Sequence, residues 1–252
     1  MDKQRYAVIT GANGGIGRAL CSAFNDEGYQ VIALDRQETP HSDLVYKTYI
    51  VLNLSDYIQN EQYAADKNLE ITAVLSQHQL HCLVNNSAIQ VLGGVTSLTR
   101  ADWNTTLDVN LQAPFFLTQA LLPQLENAKG SVVNISSIHA KLSKPNFVAY
   151  ATSKAALSGM TKAMALDLGE RVRVNAIEPA AIATDMLKAG FAGKAEQYQQ
   201  LKDYHPSKTI GEPNEVARLA VFLASEQSHF IHGSCIDISG GISNSLHDPD
   251  DK

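Results

Sequence analysis

Cysteine is scarce in this chain of 252 residues: its 3 cysteines, Cys21, Cys82 and Cys235, lie far apart. So thin a supply suits reduced thiols and excludes a disulfide framework as the source of stability. Long apolar runs are missing too. No stretch reaches the ~18–20 apolar residues that span a bilayer, and the opening "MDKQRYAVIT" lacks the apolar core of a secretory signal. Both absences lead to the expectation of a cytoplasmic protein that does not enter the membrane. Basic blocks are absent and the formal net charge is −6, which argues against a nucleic-acid partner. No repeat, low-complexity block or linker divides the chain, so residues 1–252 read as a single domain.

Metal-ligand spacing is lacking as well. His78, His81 and Cys82 in "HQLHC" have no fourth ligand nearby, and Cys82 continues into an apolar strand pattern. The pair His229 and His232 in "HFIHG" is weaker still, so no metal is expected. The N-x-S/T triplets at Asn53, Asn85, Asn104 and Asn134 fall mostly at apparent strand ends, and a cytoplasmic chain leaves them unglycosylated.

What is present is a core-forming composition, 44% hydrophobic and 18% charged, arranged in alternation. The strand-like segments are "RYAVIT", "QVIALD", "YKTYIVLNL", "HCLVNNS", "GSVVNISS", "RVRVNAIEP" and "SCIDIS". Helical patterns separate them: "GRALCSAFNDEG", a polar helix over about 56–77, one over about 99–126, one after Tyr150, and one over "NEVARLAVFLAS". This order predicts an α/β fold, a doubly wound seven-stranded parallel sheet with helices on both faces. Gly28 reads as a helix stop and Pro213 as a first-turn proline. The long polar crossover at about 184–209 reads as a substrate lid, and about 243–252 as a polar acidic tail.

Two features point to a nucleotide. "TGANGGIG" follows the first strand and opens a helix, and its Gly11, Gly15 and Gly17 allow backbone N–H groups to approach a pyrophosphate at the helix N-terminus. Asp35 ends the second strand, where a carboxylate accepts hydrogen bonds from an adenosine ribose 2′-hydroxyl and repels a 2′-phosphate. That favours NAD over NADP, although the neighbouring Arg36 is able to pair with a phosphate. A tight glycine turn and a solvated acid are the plainer alternatives for each feature alone.

The stretch "YATSK" begins a further helix and places Tyr150 and Lys154 one turn apart on the same face. Alone, the pair also fits a packed tyrosine and a solvated lysine. In sequence with the other segments it carries more weight. "TGANGGIG", "LVNNSA", "DVNLQAPF", "VVNISS", "YATSK", "NAIEPAAIAT" and "GSCIDISGG" recur in the order found in the short-chain dehydrogenase/reductase family, and the resemblance runs from about Tyr6 to Gly241.

That resemblance implies an NAD-dependent oxidoreductase with Asn110, Ser137, Tyr150 and Lys154 as its catalytic set. Tyr150 would exchange the proton, Lys154 and an oxidised nicotinamide would favour its phenolate, Ser137 would hydrogen-bond the substrate oxygen, and Asn110 would hold a water. An unperturbed phenol titrates near 10, so working near 7 needs roughly 4 kcal/mol of differential stabilisation. The implied cofactor residues are Gly11, Asn13, Gly15, Ile16, Gly17, Asp35, Asn53, Leu54, Asn86, Ser87, Tyr150, Lys154, Pro179, Ile182 and Thr184. Three departures add or change groups at that surface. Ser87 and Ala88 stand where the family has alanine and glycine, Ala180 follows Pro179 in place of glycine, and Asn53 replaces the aspartate that meets adenine.

For the substrate, the implied residues are Gln90, Ser137, His139 and Tyr150. Gln90 and His139 resemble a carboxylate-holding pair in 3-hydroxybutyrate dehydrogenases, but Phe147 takes the place of that group's lysine and Lys188 that of its second glutamine. A small polar hydroxy acid or polyol is the expected substrate, and the resemblance implies a homotetramer. An NADPH-dependent carbonyl or 3-oxoacyl reductase and a non-catalytic NAD-binding regulator are the competing classes.

Overall fold

The computed structural model describes residues 4–75 and 79–245. β-Branched and other apolar residues fill the strands, and successive side chains leave on opposite faces. In chain order the elements are β1 (Arg5–Thr10), α1 (Gly15–Asp26), β2 (Tyr29–Asp35), β3 (Thr48–Val51), α2 (Leu54–Gln59), α3 (Glu61–Val74) and β4 (Cys82–Asn85). There follow α4 (Arg100–Leu107), a π-helical segment (Asp108–Gln112), α5 (Ala113–Ala120), α6 (Leu122–Ala128), β5 (Ser131–Ile135) and a 3₁₀ turn (Ile138–Ala140). The last part is α7 (Val148–Leu168), β6 (Arg173–Pro179), α8 (Asp185–Gly190), α9 (Ala195–Asp203), α10 (Pro213–Ala224) and β7 (Cys235–Ile238).

All pairings are parallel, in the order β3-β2-β1-β4-β5-β6-β7. The period-two alternation divides the core. Ala7 and Ile9 of β1, Val31 and Ala33 of β2 and Val84 of β4 pack with Leu20 and Phe24 of α1 and Val216 and Ala220 of α10. Their neighbours Tyr6, Val8, Ile32, Leu34 and Leu83 face the other way, onto Ile71 of α3, Leu117 of α5 and Leu168 of α7. Burying both faces is what a parallel sheet requires. The sheet and its two helical layers are those expected, and α1 stops before Gly28 while Pro213 opens α10.

Two helices differ from their expected extents. The polar helix over about 56–77 is two helices, because Asn60 adopts φ −134°, ψ 104° and its side chain accepts the N–H of Tyr63 to start α3. Asparagine gains more as a cap than inside a helix. Residues 76 and 77 at its expected end, and His78 beside them, lie outside the described residues. The helix over about 99–126 begins as read, with a capping box between Thr99 and Asp102, but is then interrupted by the π segment and by a turn at Leu121, with Pro114 and Pro123 in the first turns of the helices that follow. Proline donates no N–H and cannot continue an α-helical ladder. The expected tail lies outside the described residues from 246 onward.

Among the described residues no helix is long and apolar enough to cross a membrane. Cys21 and Cys82 are buried, and burial pushes both thiols up to about 12, so they act as packing groups. Phe24, fully buried between α1 and the sheet, is expected to cost about 3–5 kcal/mol when truncated to alanine. In urea titrations of both variants, Leu69→Ala, at a position 69% exposed on α3, should change stability by less than about 0.5 kcal/mol.

Candidate active site

Parallel pairing carries the ends of β1, β2, β4, β5 and β6 to one edge of the sheet, and the strand order reverses between β1 and β4. Crevices form at such switch points. Here the crevice is closed at its base by Thr10, whose Oγ accepts the N–H groups of Asn86 and Ser87, each at 3.0 Å. The Asn86 amide donates to the carbonyls of Thr10 at 2.9 Å and Gly11 at 3.1 Å. Gly17 lies so close beneath the loop that a Cβ there would sit 2.0 Å from the Gly11 carbonyl oxygen. A Cβ on Gly15 would meet Thr184 at 3.0 Å, so the missing side chain lets the start of α8 rest on the loop.

At the end of β2, both Asp35 oxygens accept main-chain N–H groups, from Asn13 at 2.9 Å and Gln37 at 3.1 Å. Asn13 is a hub that the glycine pattern did not reveal. Its side-chain amide donates to Gln37, Thr39 and Tyr49, and its side-chain carbonyl accepts from the His41 N–H. Arg18, which the sequence did not single out, donates to the Asn13 carbonyl and pairs with Asp185 at 2.6 Å, joining the loop to α8. Asn53 caps α2, accepting the Ser55 N–H at 3.0 Å, and Leu54 beside it is buried. Ile182 bridges Gly211, and Thr184 caps α8.

The four residues of the expected catalytic set stand on three elements. Ser137 follows β5, Asn110 is the buried centre of the π segment, and Tyr150 and Lys154 lie in the first turns of α7. Asn110 binds across the gap: its Oδ1 accepts the Ile89 N–H at 2.8 Å, and its amide donates to the Ile89 carbonyl and to Ser153 at 3.0 Å. Ser153 donates in turn to the Tyr150 carbonyl at 2.7 Å. Ser137 accepts the His139 N–H at 3.2 Å, lies 3.5 Å from the Pro179 carbonyl, a weak contact, and hydrogen-bonds the Tyr150 phenol.

Lys154 is 2% exposed, donates to the Ile135 carbonyl at 2.7 Å, and holds its ammonium 5.8 Å from the centre of the Tyr150 ring. Burial pulls that ammonium down to about 7. Burial also pushes the Tyr150 phenol up, opposed by its hydrogen bond with Ser137. The protein's own groups thus leave the phenol above its ordinary value, and the sequence reading assigned its lowering to Lys154 and an oxidised nicotinamide acting together. An ammonium has three donors, and among the described residues one acceptor meets it, so the remaining donors suit ribose hydroxyls. Together with the Asp35 carboxylate and the open glycine loop, the donor set fits a nicotinamide dinucleotide.

On the substrate side, the loop after β4 pairs with the loop before α7 through Gly93 and Phe147, with the Gly93 N–H donating to Asn146 at 2.9 Å. His139 packs 4.7 Å from Phe147 and 6.0 Å from Tyr150, ring centre to ring centre, and Lys144 lies 4.3 Å over Phe147. Gln90 is exposed in the β4 loop, and among the described residues no hydrogen bond joins it to His139. Nor is any group of three or more His, Cys, Asp or Glu side chains placed there to hold a metal.

A family model described as enoyl-(acyl carrier protein) reductase matches residues 11–243. The acetoacetyl-CoA reductase of Cupriavidus necator is 32% identical over 245 residues, 95% of this chain and 98% of that one. The ligand-free aldohexose dehydrogenase of Thermoplasma acidophilum superposes with a TM-score of 0.86 at 30% identity, covering 98% of each chain. A 4-hydroxyisoleucine dehydrogenase complexed with NADH gives a TM-score of 0.81 at 29% identity, covering 96% of this chain and 100% of that one. Other solved neighbours hold NADP.

Lys154 also links the site to stability. Its folded value near 7 lies below the unfolded value of 10.5, so between them the unfolded chain binds the extra proton and stability rises with pH. Melting temperatures measured from pH 7 to 9 are expected to rise in the wild type and to rise less in Lys154→Met.

Proposed function

Because this chain belongs to the short-chain dehydrogenase/reductase family, and so is an NAD(P)-dependent oxidoreductase acting on CH–OH and carbonyl groups, we propose that its cofactor is NAD and its substrate a small polar hydroxy acid or polyol. Asp35 carries the cofactor choice. Its carboxylate is fixed by two main-chain N–H groups at the end of β2, where a ribose diol is a donor and a 2′-phosphate a second anion. The bound nicotinamide supplies the hydride chemistry.

The chain's own residues do the rest. Lys154 offers its spare donors to ribose hydroxyls, and Tyr150 exchanges the alcohol proton at its phenol oxygen. Ser137, beside the Tyr150 phenol, turns its hydroxyl toward the substrate oxygen as charge develops. Asn110 has its side chain committed to Ile89 and Ser153, so a water would meet its main-chain carbonyl, to which Pro114 has no N–H to give. The 184–209 crossover, with α8 and α9, is the lid of a single domain.

His139 favours the polyol. The Leu142 carbonyl only accepts, so Nδ1, 3.2 Å away, carries the proton. Burial lowers the His139 pKa, outweighing the Leu142 hydrogen bond that raises it, and Lys144 adds to the lowering. The ring is then neutral with a bare Nε2, an acceptor for a hydroxyl and a poor seat for a carboxylate. Phe147, in place of a cation, points the same way. Exposed Phe115, Phe116, Leu166 and Phe230 support a homotetramer, and the reduced cysteines a cytoplasmic setting. Exposed Arg36 beside Asp35 is what favours the NADPH-dependent reductase reading.

Paired titrations with NADH and NADPH test the cofactor. NADH should bind tighter, and Asp35→Ala should erode the preference by roughly tenfold or more, about 1.4 kcal/mol. Turnover on hydroxy acids, polyols and 3-oxoacyl thioesters then tests the substrate class. Tyr150→Phe should lower kcat by about 10²–10⁴-fold while NADH binding persists; unchanged turnover would refute the phenol's role.

A further inference from the structure

Glu178, next to the end of β6, is fully buried, and a buried carboxylate demands partners. Its Oε1 accepts the Ser158 hydroxyl at 2.8 Å. Ser158 has then spent its proton, so Ser136 donates either to Ser158 at 2.9 Å or to the Lys154 carbonyl at 3.1 Å. This chain of hydroxyls ties the ends of β5 and β6 to the helix that carries Tyr150 and Lys154. The other oxygen, Oε2, has no hydrogen bond of regular geometry among the described residues, and the Lys141 ammonium, 2.6 Å away, is its charge partner. Asp237 sits beside Glu178 in the β6–β7 register, on the same face.

Lys141 is itself 56% exposed and belongs to the loop that leaves the 3₁₀ turn after Ser137. That loop is otherwise held mostly by its own local bonds, Ala140 N–H to Ser137, Lys141 and Leu142 N–H to Ile138 and His139 to Ser137 Oγ and the Leu142 carbonyl, and to its neighbours by the Gly93–Asn146 and Ala151–Phe147 bonds. An ion pair between two exposed side chains would hold little. Here one partner is wholly buried, so losing Lys141 strands a charge in the interior. The direction of the Lys141 pKa, raised chiefly by its hydrogen bond to Glu178, agrees with a formed pair.

We propose that Lys141 and Glu178 are positioning residues: the ion pair latches the 138–147 loop, and with it His139 and Phe147, onto the strand end that adjoins Ser137. The latch rests on reading this edge as the active site, as above. It acts on the pocket wall that selects substrate and leaves the dinucleotide groove alone.

Hydrogen exchange of the 138–147 segment, followed by mass spectrometry in the full-length protein, tests this without any substrate. Lys141→Met should speed exchange there by roughly tenfold, Lys141→Arg should restore the wild-type rate, and Glu178→Gln should speed it too. The double variant Glu178→Gln, Lys141→Met should be no faster than the faster single variant. NADH affinity, read by nicotinamide fluorescence, should stay within about twofold throughout. Wild-type exchange in Lys141→Met, equal loosening in Lys141→Arg, additive effects, or loss of NADH binding in Lys141→Met would each overturn the latch. Because the readout needs no turnover, its failure leaves the oxidoreductase reading standing, and an inactive panel leaves the latch standing.

Discussion

Parallel pairing governs everything at this site. Strands that run the same way end at the same edge, so Thr10, Asp35, Asn85, Ile135 and Pro179 are brought side by side by backbone hydrogen bonds alone. Each strand then needs a crossover, and the helices that supply it bury both faces. Their termini arrive at the same edge, which is how the first turns of α7 come to stand over the end of β5. Reversal of strand order between β1 and β4 leaves the crevice, and Thr10 and Asn86 stitch its floor.

Within that frame, the electrostatics are set by burial. Lys154 and Tyr150 are both desolvated, and burial moves each toward its neutral form. Such a pair is poised for proton exchange once further charge and hydrogen bonds arrive. Glu178 sits deeper still, yet it has a cation and a hydroxyl, so a charge within a short path of α7 is balanced from the protein's surface. Asp35 is treated differently again, held by two main-chain N–H groups and, among the described residues, by no ion pair.

Much of this was legible. The sheet followed from alternating strand and helix patterns, since the period of apolar residues is a local property. Tyr150 and Lys154 were legible as a pair because one helical turn sets their separation. Asp35 was legible because a strand end next to a glycine loop has few places to go. The breaks in the long helical patterns were harder. Asn60 and Pro114 each look tolerable one at a time, and only competition between capping and ladder continuation decides. Gln90 and His139 were read as one substrate-facing pair by resemblance alone, because a loop residue's direction follows from packing that no period encodes.

The sequence by itself determined the fold class, the nucleotide edge and the spacing of the reactive groups, all of which rest on local periodicity and turn chemistry. Tertiary structure alone decided the Asn13 hub, the Asn110 bridge to Ser153, the direction of each pKa and the Lys141–Glu178 ion pair. These depend on side chains from separate strands and loops meeting in a medium of low dielectric. Burial and long-range contact set their strength, and neither is a property of any short stretch of chain.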